Sequence, residues 1–224
     1  MVRTPRTLAD LASARGAGAA PLLTYYDLST GERVELSGTT TANWVAKTSN
    51  FLVDDLDAGP GTRVRIGLPS HWLRFVWLLS AWNVGAAVVA SAADVGVSGP
   101  DLVGDEQHRV AASLRPLGAR FAEPPVGFLD LGVEVPGHGD VFVALDPPGP
   151  DDVALDVDAR LTHAELLARV SPDSRRVLVT PGTLTRDADV LVAACVGGGS
   201  LVVVASGTPD DLARVASQEA AEPA

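Results

Sequence analysis

Short apolar runs that read as strands alternate with stretches of helical periodicity along most of this chain, and that alternation restricts the fold more than any other feature. Residues 22–26 and 32–36 are short alternating runs split by Ser29-Thr30-Gly31, the pattern of a hairpin. Residues 40–56 have helical periodicity, with Trp44, Val45, Thr48, Phe51, Leu52 and Leu56 on one stripe, and Gly59-Pro60-Gly61 stops them. A short strand at 63–68 ends at Pro69-Ser70. Residues 71–84 then carry Trp72, Leu73, Phe75, Val76, Trp77, Leu78, Leu79 and Trp82 nearly all round the axis, which predicts a buried helix. Gly85 closes that helix, and 86–90 is the next strand. Further strands are predicted at 101–103, 118–121, 141–145, 153–157, 176–180 and 201–205, and helices at 107–114, 162–170, 186–195 and 209–218. Residues 124–140 read as loop, and Pro147-Pro148-Gly149-Pro150 as a stiff linker.

Strand–helix–strand units with short apolar strands imply an α/β fold with a mostly parallel sheet and helices on both faces. Right-handed crossovers make it doubly wound, and the early hairpin gives it a mixed edge. The expected organisation is one α/β domain over residues 1–218 and a frayed tail at 219–224. With 224 residues, 46% of them apolar and 20% charged, the chain can bury a sizeable core. A net charge of −11 disfavours nucleic acid and anionic membrane as partners, since both select for basic surfaces. The longest apolar run, residues 75–79, is far too short to span a bilayer. Residues 1–10 contain no apolar core of a secretory signal, so a cytoplasmic protein is expected.

Residues that carry chemistry are few. Of 17 basic residues only Lys47 is a lysine, so a mechanism that needs lysine has one candidate. Cys195 stands alone, and His71, His108, His138 and His163 form no close pair, so no metal site is expected. Ser37-Gly38-Thr39-Thr40-Thr41 looks like a phosphate loop, but it precedes the first amphipathic helix, where a hydroxyl serves as a cap. Gly197-Gly198-Gly199 runs from helix into strand, the direction of a helix cap and turn; a phosphate loop runs from strand into helix. His71, at the start of the apolar helix, reads as a hydrogen-bonded structural residue, and His163 as a surface or half-buried helix residue. Trp72, Trp77 and Trp82 read as core, Cys195 as a small buried hydrophobe. No Gly-x-Ser-x-Gly is present.

Three stretches carry a resemblance: Thr30-Gly-Glu-Arg-Val-Glu-Leu-Ser37, Gly59-Pro-Gly-Thr-Arg-Val-Arg-Ile-Gly-Leu-Pro69, and Ala81-Trp-Asn-Val-Gly-Ala-Ala-Val-Val89. Residues 177–180 and 191–204, with Gly197-Gly198-Gly199-Ser200 before a valine strand, extend it. In this order they resemble the N-terminal part of the adenylate-forming superfamily: acyl-CoA synthetases, luciferases and peptide-synthetase adenylation domains. The nearest likeness is to a short actinobacterial group of AMP-dependent-ligase-like proteins without the phosphate loop.

The resemblance implies a specific gap. Residues 151–155 resemble the strand that leads into the family's phosphate loop, and Leu161-Thr-His-Ala-Glu-Leu-Leu167 the helix that follows it. The family's loop, rich in Ser, Thr and Gly and closed by Lys, holds ATP phosphates on backbone N–H groups. Here only Asp156-Val-Asp-Ala-Arg160 lies between. Where relatives carry a His after the strand at 176–180, this chain has Pro181-Gly182-Thr183. The chain also stops before the family's adenine and ribose sites and its catalytic lysine. No catalytic, cofactor or metal residue is assigned, and ATP is expected to bind weakly or not at all. Thr180, Pro181, Gly182, Thr183 and His163 are the candidates for a vestigial pocket. The expected function is that of a catalytically inactive relative acting as a binding or interaction protein, with a protein partner the sequence does not identify or as a homo-oligomer. One alternative is an active acyl-adenylating component completed by a partner that supplies loop and lysine. The other is an unrelated α/β nucleotide binder, for which a Gly-x-Gly-x-x-Gly after a strand is lacking.

Overall fold

The computed structural model describes residues 5–11 and 18–224; residues 1–4, part of the start read for a secretory signal, lie outside the described residues. The strands divide between two mostly parallel sheets. One has the order β12-β10-β11-β1-β2 and the other β7-β6-β5-β3-β4-β8-β9. The first contains β1 (Pro21–Asp27), β2 (Glu32–Ser37), β10 (Arg176–Val179), β11 (Ser200–Val204) and β12 (Glu222–Pro223). The second contains β3 (Arg63–Gly67), β4 (Ala87–Val89), β5 (Val95–Ser98), β6 (His108–Ala111), β7 (Leu129–Asp130), β8 (Val153–Asp156) and β9 (Arg160–Thr162). Each sheet has one antiparallel edge: β2 folds back on β1 as the hairpin predicted, and β9 folds back on β8.

Helix α1 (Gly38–Asp54) and helix α2 (Trp72–Asn83) pack on each other, and α2 touches β1 of one sheet and β3 and β4 of the other. One buried cluster therefore joins both sheets through α2, from Leu23 and Val203 on one side to Val64 and Val88 on the other. Trp72, Trp77 and Trp82 are fully buried within it, as expected of a helix that is apolar all round. Further helices are α3 (Leu131–Glu134), α4 (His163–Arg169), α5 (Leu184–Gly197) and α6 (Pro209–Glu219). Ser37 caps α1 by accepting from the Thr40 N–H, and Gly198 closes α5 with φ 83°, so both glycine- and hydroxyl-rich stretches are caps.

Several local expectations are corrected. Residues 107–114 form no helix; β6 lies there, paired between β5 and β7. Residues 101–103 are a turn, with Leu102 at φ 53°, and the strand is β5, just upstream. Gly96 interrupts β5's apolar run because the Glu106 carboxylate lies where its Cβ would be. Residues 118–121 make only an isolated bridge between Arg115 and Ala119. Residues 141–145 pair with no strand. The tail read as frayed is tied down: β12 pairs with β10, and Glu219 accepts hydrogen bonds from Tyr26, Arg33 and Arg176. No helix among the described residues is long and apolar enough to cross a membrane.

Candidate functional site

In parallel sheets, ligands bind beyond the carboxyl ends of strands. Three such ends converge here: those of β3, β8 and β10. The turn after β8 is short because β9 returns at once, with Leu155 opposite Leu161 and Asp156 opposite Arg160. The Asp156 and Arg160 side chains stand 3.8 Å apart, both well exposed, so the pair adds little stability. Thr162 then starts α4 with a reciprocal cap: its hydroxyl accepts from the Glu165 N–H at 3.2 Å, and the Glu165 carboxylate accepts from the Thr162 N–H at 2.8 Å.

Thr180, Pro181, Gly182 and Thr183 form the connection from β10 to α5, largely exposed. Thr183 caps α5 by accepting from the Arg186 N–H at 3.2 Å, and the Arg186 guanidinium donates to the Thr180 carbonyl at 2.9 Å. The Thr185 hydroxyl donates to Asp158 Oδ2 at 2.6 Å, which fastens the β8–β9 turn to the first turn of α5. A carboxylate of the chain itself thus sits at a helix N-terminus, where the backbone dipole favours negative charge.

The second link is Arg74 of α2. Its guanidinium donates to the Leu68 carbonyl after β3 at 2.9 Å and 2.5 Å, to the Gly182 carbonyl at 3.3 Å and to Asp187 Oδ2 at 2.6 Å. Asp187 is fully buried, and its second oxygen has no hydrogen-bond partner. Burial pushes its carboxyl above the usual range, and the Arg74 guanidinium pulls against that rise. Sequence reasoning missed Arg74 and Asp187. A signal was present: Arg74 is the one charge in a helix that is otherwise apolar all round, and such a charge needs a buried partner.

His163 does not join this group. It is completely buried, not a surface residue, and its Nδ1 accepts the Leu8 N–H at 3.1 Å. Lys47 is also engaged elsewhere: its ammonium donates to the Pro136 and His138 carbonyls and pairs with Asp140 at 3.0 Å. No group of His, Cys, Asp and Glu among the described residues is placed to hold a metal ion. One cleft, about 440 Å³, lies between Phe121, Phe128, Leu129 and Val133; another, about 300 Å³, is lined by Arg63, Val89, Asp152, Asp156 and Arg160. Thr180–Thr183 line neither. Gly38 and Thr41 face only a packing gap too small for water.

The convergence of strand ends therefore presents carboxylates and a capped helix, with no glycine-rich cradle and no lysine. At 4 Å a phosphate charge opposed to one of these carboxylates costs about 1 kcal/mol even in bulk water.

No protein-family model matches the chain. It is 39% identical over 210 residues to the TIGR03089 family protein of Mycobacterium tuberculosis, an alignment that covers 87% of this chain and 86% of that protein. Among solved structures it is similar to an acyl-CoA synthetase of Brucella canis, with a TM-score of 0.77, 14% identity, and coverage of 96% of this chain and 46% of that one. It is similar also to the acetoacetyl-CoA synthetase of Streptomyces lividans, with a TM-score of 0.76, 18% identity, and coverage of 96% and 41%. A long-chain-fatty-acid-CoA ligase of Archaeoglobus fulgidus gives a TM-score of 0.77 at 13% identity, with coverage of 98% and 51%. The chain thus spans about half the length of the solved structures it resembles, and shares their fold.

Proposed function

The chain belongs to the TIGR03089 family, and from that membership and its acyl-CoA synthetase-like fold we propose that it is a non-catalytic relative of the adenylate-forming ligases, a cytoplasmic protein that works by binding another protein. One observation carries this reading: the turn between β8 and β9. It is five residues long counted from Asp156 to Arg160, contains no glycine and no lysine, and is closed by the Asp158–Thr185 hydrogen bond. Glycine matters at such a turn because backbone N–H groups approach phosphates most easily without a Cβ. Lysine matters because it brings a point charge to the phosphates. Lys47 does not serve, since it is bound to the chain after α3. The five residues at this turn leave the fold with its strand and helix but without the cradle between them.

Calorimetric titration with Mg-ATP tests the reading. No saturable heat is expected in the micromolar range, and no thermal shift beyond that of an equal ionic strength of salt. Micromolar affinity for ATP would overturn it.

A further inference from the structure

We propose that the chain binds a second copy of itself head to tail, with segment 141–145 of one copy lying alongside β7 of the next, in the cleft between Phe121, Phe128, Leu129 and Val133. The proposal rests on the reading of the chain as an interaction protein and names its partner. It starts from two exposed apolar surfaces that no part of the described chain covers.

The first surface is segment 141–145. Val141, Val143 and Leu145 are 77%, 76% and 100% exposed. The residues between them, Phe142 and Ala144, are half-buried, and Phe142 packs against the main core. This in–out alternation is that of a strand, with its apolar outer side facing solvent. Asn50 fixes the start of the segment by donating to the Gly139 and Val141 carbonyls, at 2.9 Å and 3.0 Å. The segment is therefore anchored along its inner side and belongs to neither sheet.

The second surface lies at the end of the seven-stranded sheet. β7 is the last strand in the order, so its outer side has no strand among the described residues. Beside it runs the 440 Å³ cleft, whose lining includes Leu129 at 36% and Val133 at 54% exposure. Apolar patches of this kind mark sites of protein contact on soluble proteins.

Charge selects between occupants. The chain carries a net charge of −11, so encounters between copies are repulsive unless local charges oppose. They do at this edge. Arg120 lines the cleft, Arg115 donates to the Arg120 carbonyl at 3.3 Å, and the Arg109 guanidinium lies 5.4 Å from the centre of the Phe128 ring. Glu134 is the carboxylate at the cleft; that of Asp130 is turned to the N–H groups of Phe121 and Gly132. Segment 141–145 is bracketed by Asp140 and Asp146 and followed by the exposed Asp151 and Asp152, with Lys47 offsetting Asp140 alone. An apolar segment with acidic flanks thus matches an apolar cleft with arginine flanks, both on the same chain. The two surfaces share no residue, and the proposed head-to-tail pairing of one with the other is heterologous and joins copies in series.

Sedimentation velocity across micromolar concentrations tests this, with near-UV circular dichroism of the tryptophans as the check on folding. The wild-type chain is expected to exceed the mass of one chain as concentration rises. Val143→Asp with Leu145→Asp removes the first surface, and Leu129→Asp with Val133→Asp the second; each is expected to weaken association at least about tenfold. Mixed together, the two variants are expected to form a one-to-one pair, because each keeps the surface the other lacks. Arg120→Glu weakens association at low salt, and Asp146→Arg in the same chain restores it, which keeps the test decisive where Leu129→Asp, the most buried of these positions, fails to fold. A wild-type chain that stays a monomer throughout, association unchanged by both pairs of substitutions, or a mixture that forms no pair would each overturn the proposal. A monomer would sink this contact and leave the absence of ligase chemistry standing, which is tested by nucleotide binding and exchange.

Discussion

His71 and His163 show what a single residue contributes here. Both rings are almost wholly buried, both accept a backbone N–H at Nδ1, from Leu73 and Leu8, and neither Nε2 finds a partner among the described residues. Burial lowers each to about 4, against the opposing charges of Asp27 and Asp152 respectively. In the unfolded chain the same rings take up a proton near pH 6.5. Unfolding therefore binds protons between the two values. The stability held by the neutral rings is complete above about pH 6.5 and is lost as pH falls through that window towards 4. Urea midpoints are expected to drop between pH 7.5 and pH 4.5, and to drop less in His163→Gln. A midpoint that holds constant over that window would show the rings are not buried neutral. Arg74 and Asp187 make the other residue-scale prediction. Removing one partner of a buried pair leaves an uncompensated charge, so Arg74→Ala is expected to cost about 3–5 kcal/mol in urea denaturation. Arg74→Met with Asp187→Leu is expected to recover most of it. A single-variant cost within experimental error of zero would contradict the pair's place in the core.

At the scale of elements, α2 is the test case. Ten of its twelve residues are buried, so no face is left for solvent. Trp77→Ala is expected to cost about 3–5 kcal/mol, read as a shift in the urea midpoint at unchanged slope. A cost below about 1 kcal/mol would mean that Trp77 is not core. The same element explains which parts of the fold the sequence discloses. Units β3–α2–β4 and β10–α5–β11 were readable because apolar period and capping residues agree at each step. The chain between β4 and β8 was not. β5 is only four residues with Gly96 inside, and that glycine records the close approach of Glu106 from the next loop, which no local pattern carries. β6 falls where the sequence predicts a helix at 107–114; pairing between β5 and β7 overrides the local pattern. Segment 141–145 has the alternation of a strand, but alternation does not supply a neighbour. Of the candidate site, the resemblance draws attention to Thr180–Thr183 and to residues 156–160, but the Thr185–Asp158 hydrogen bond that joins the two loops leaves no local pattern in the sequence. The burial of His163 did not, because Leu8, which holds it, is 155 positions away.

At the scale of the molecule, two sheets share one core through α2, and the strand ends that bring ligands to related folds converge on α5's first turn. What meets there is closed on itself: Asp158 on Thr185, Arg186 on Thr180, Arg74 on Gly182 and Asp187. The fold of the acyl-CoA synthetases is kept, and the β8–β9 turn carries Asp156 and Asp158 and no glycine. ATP–pyrophosphate exchange by the purified chain, with labelled pyrophosphate and a panel of short-, medium- and long-chain carboxylic acids, tests that account most directly. No acid-dependent label should enter ATP above the protein-free blank with any acid. Acid-dependent exchange that Lys47→Ala abolishes would contradict it.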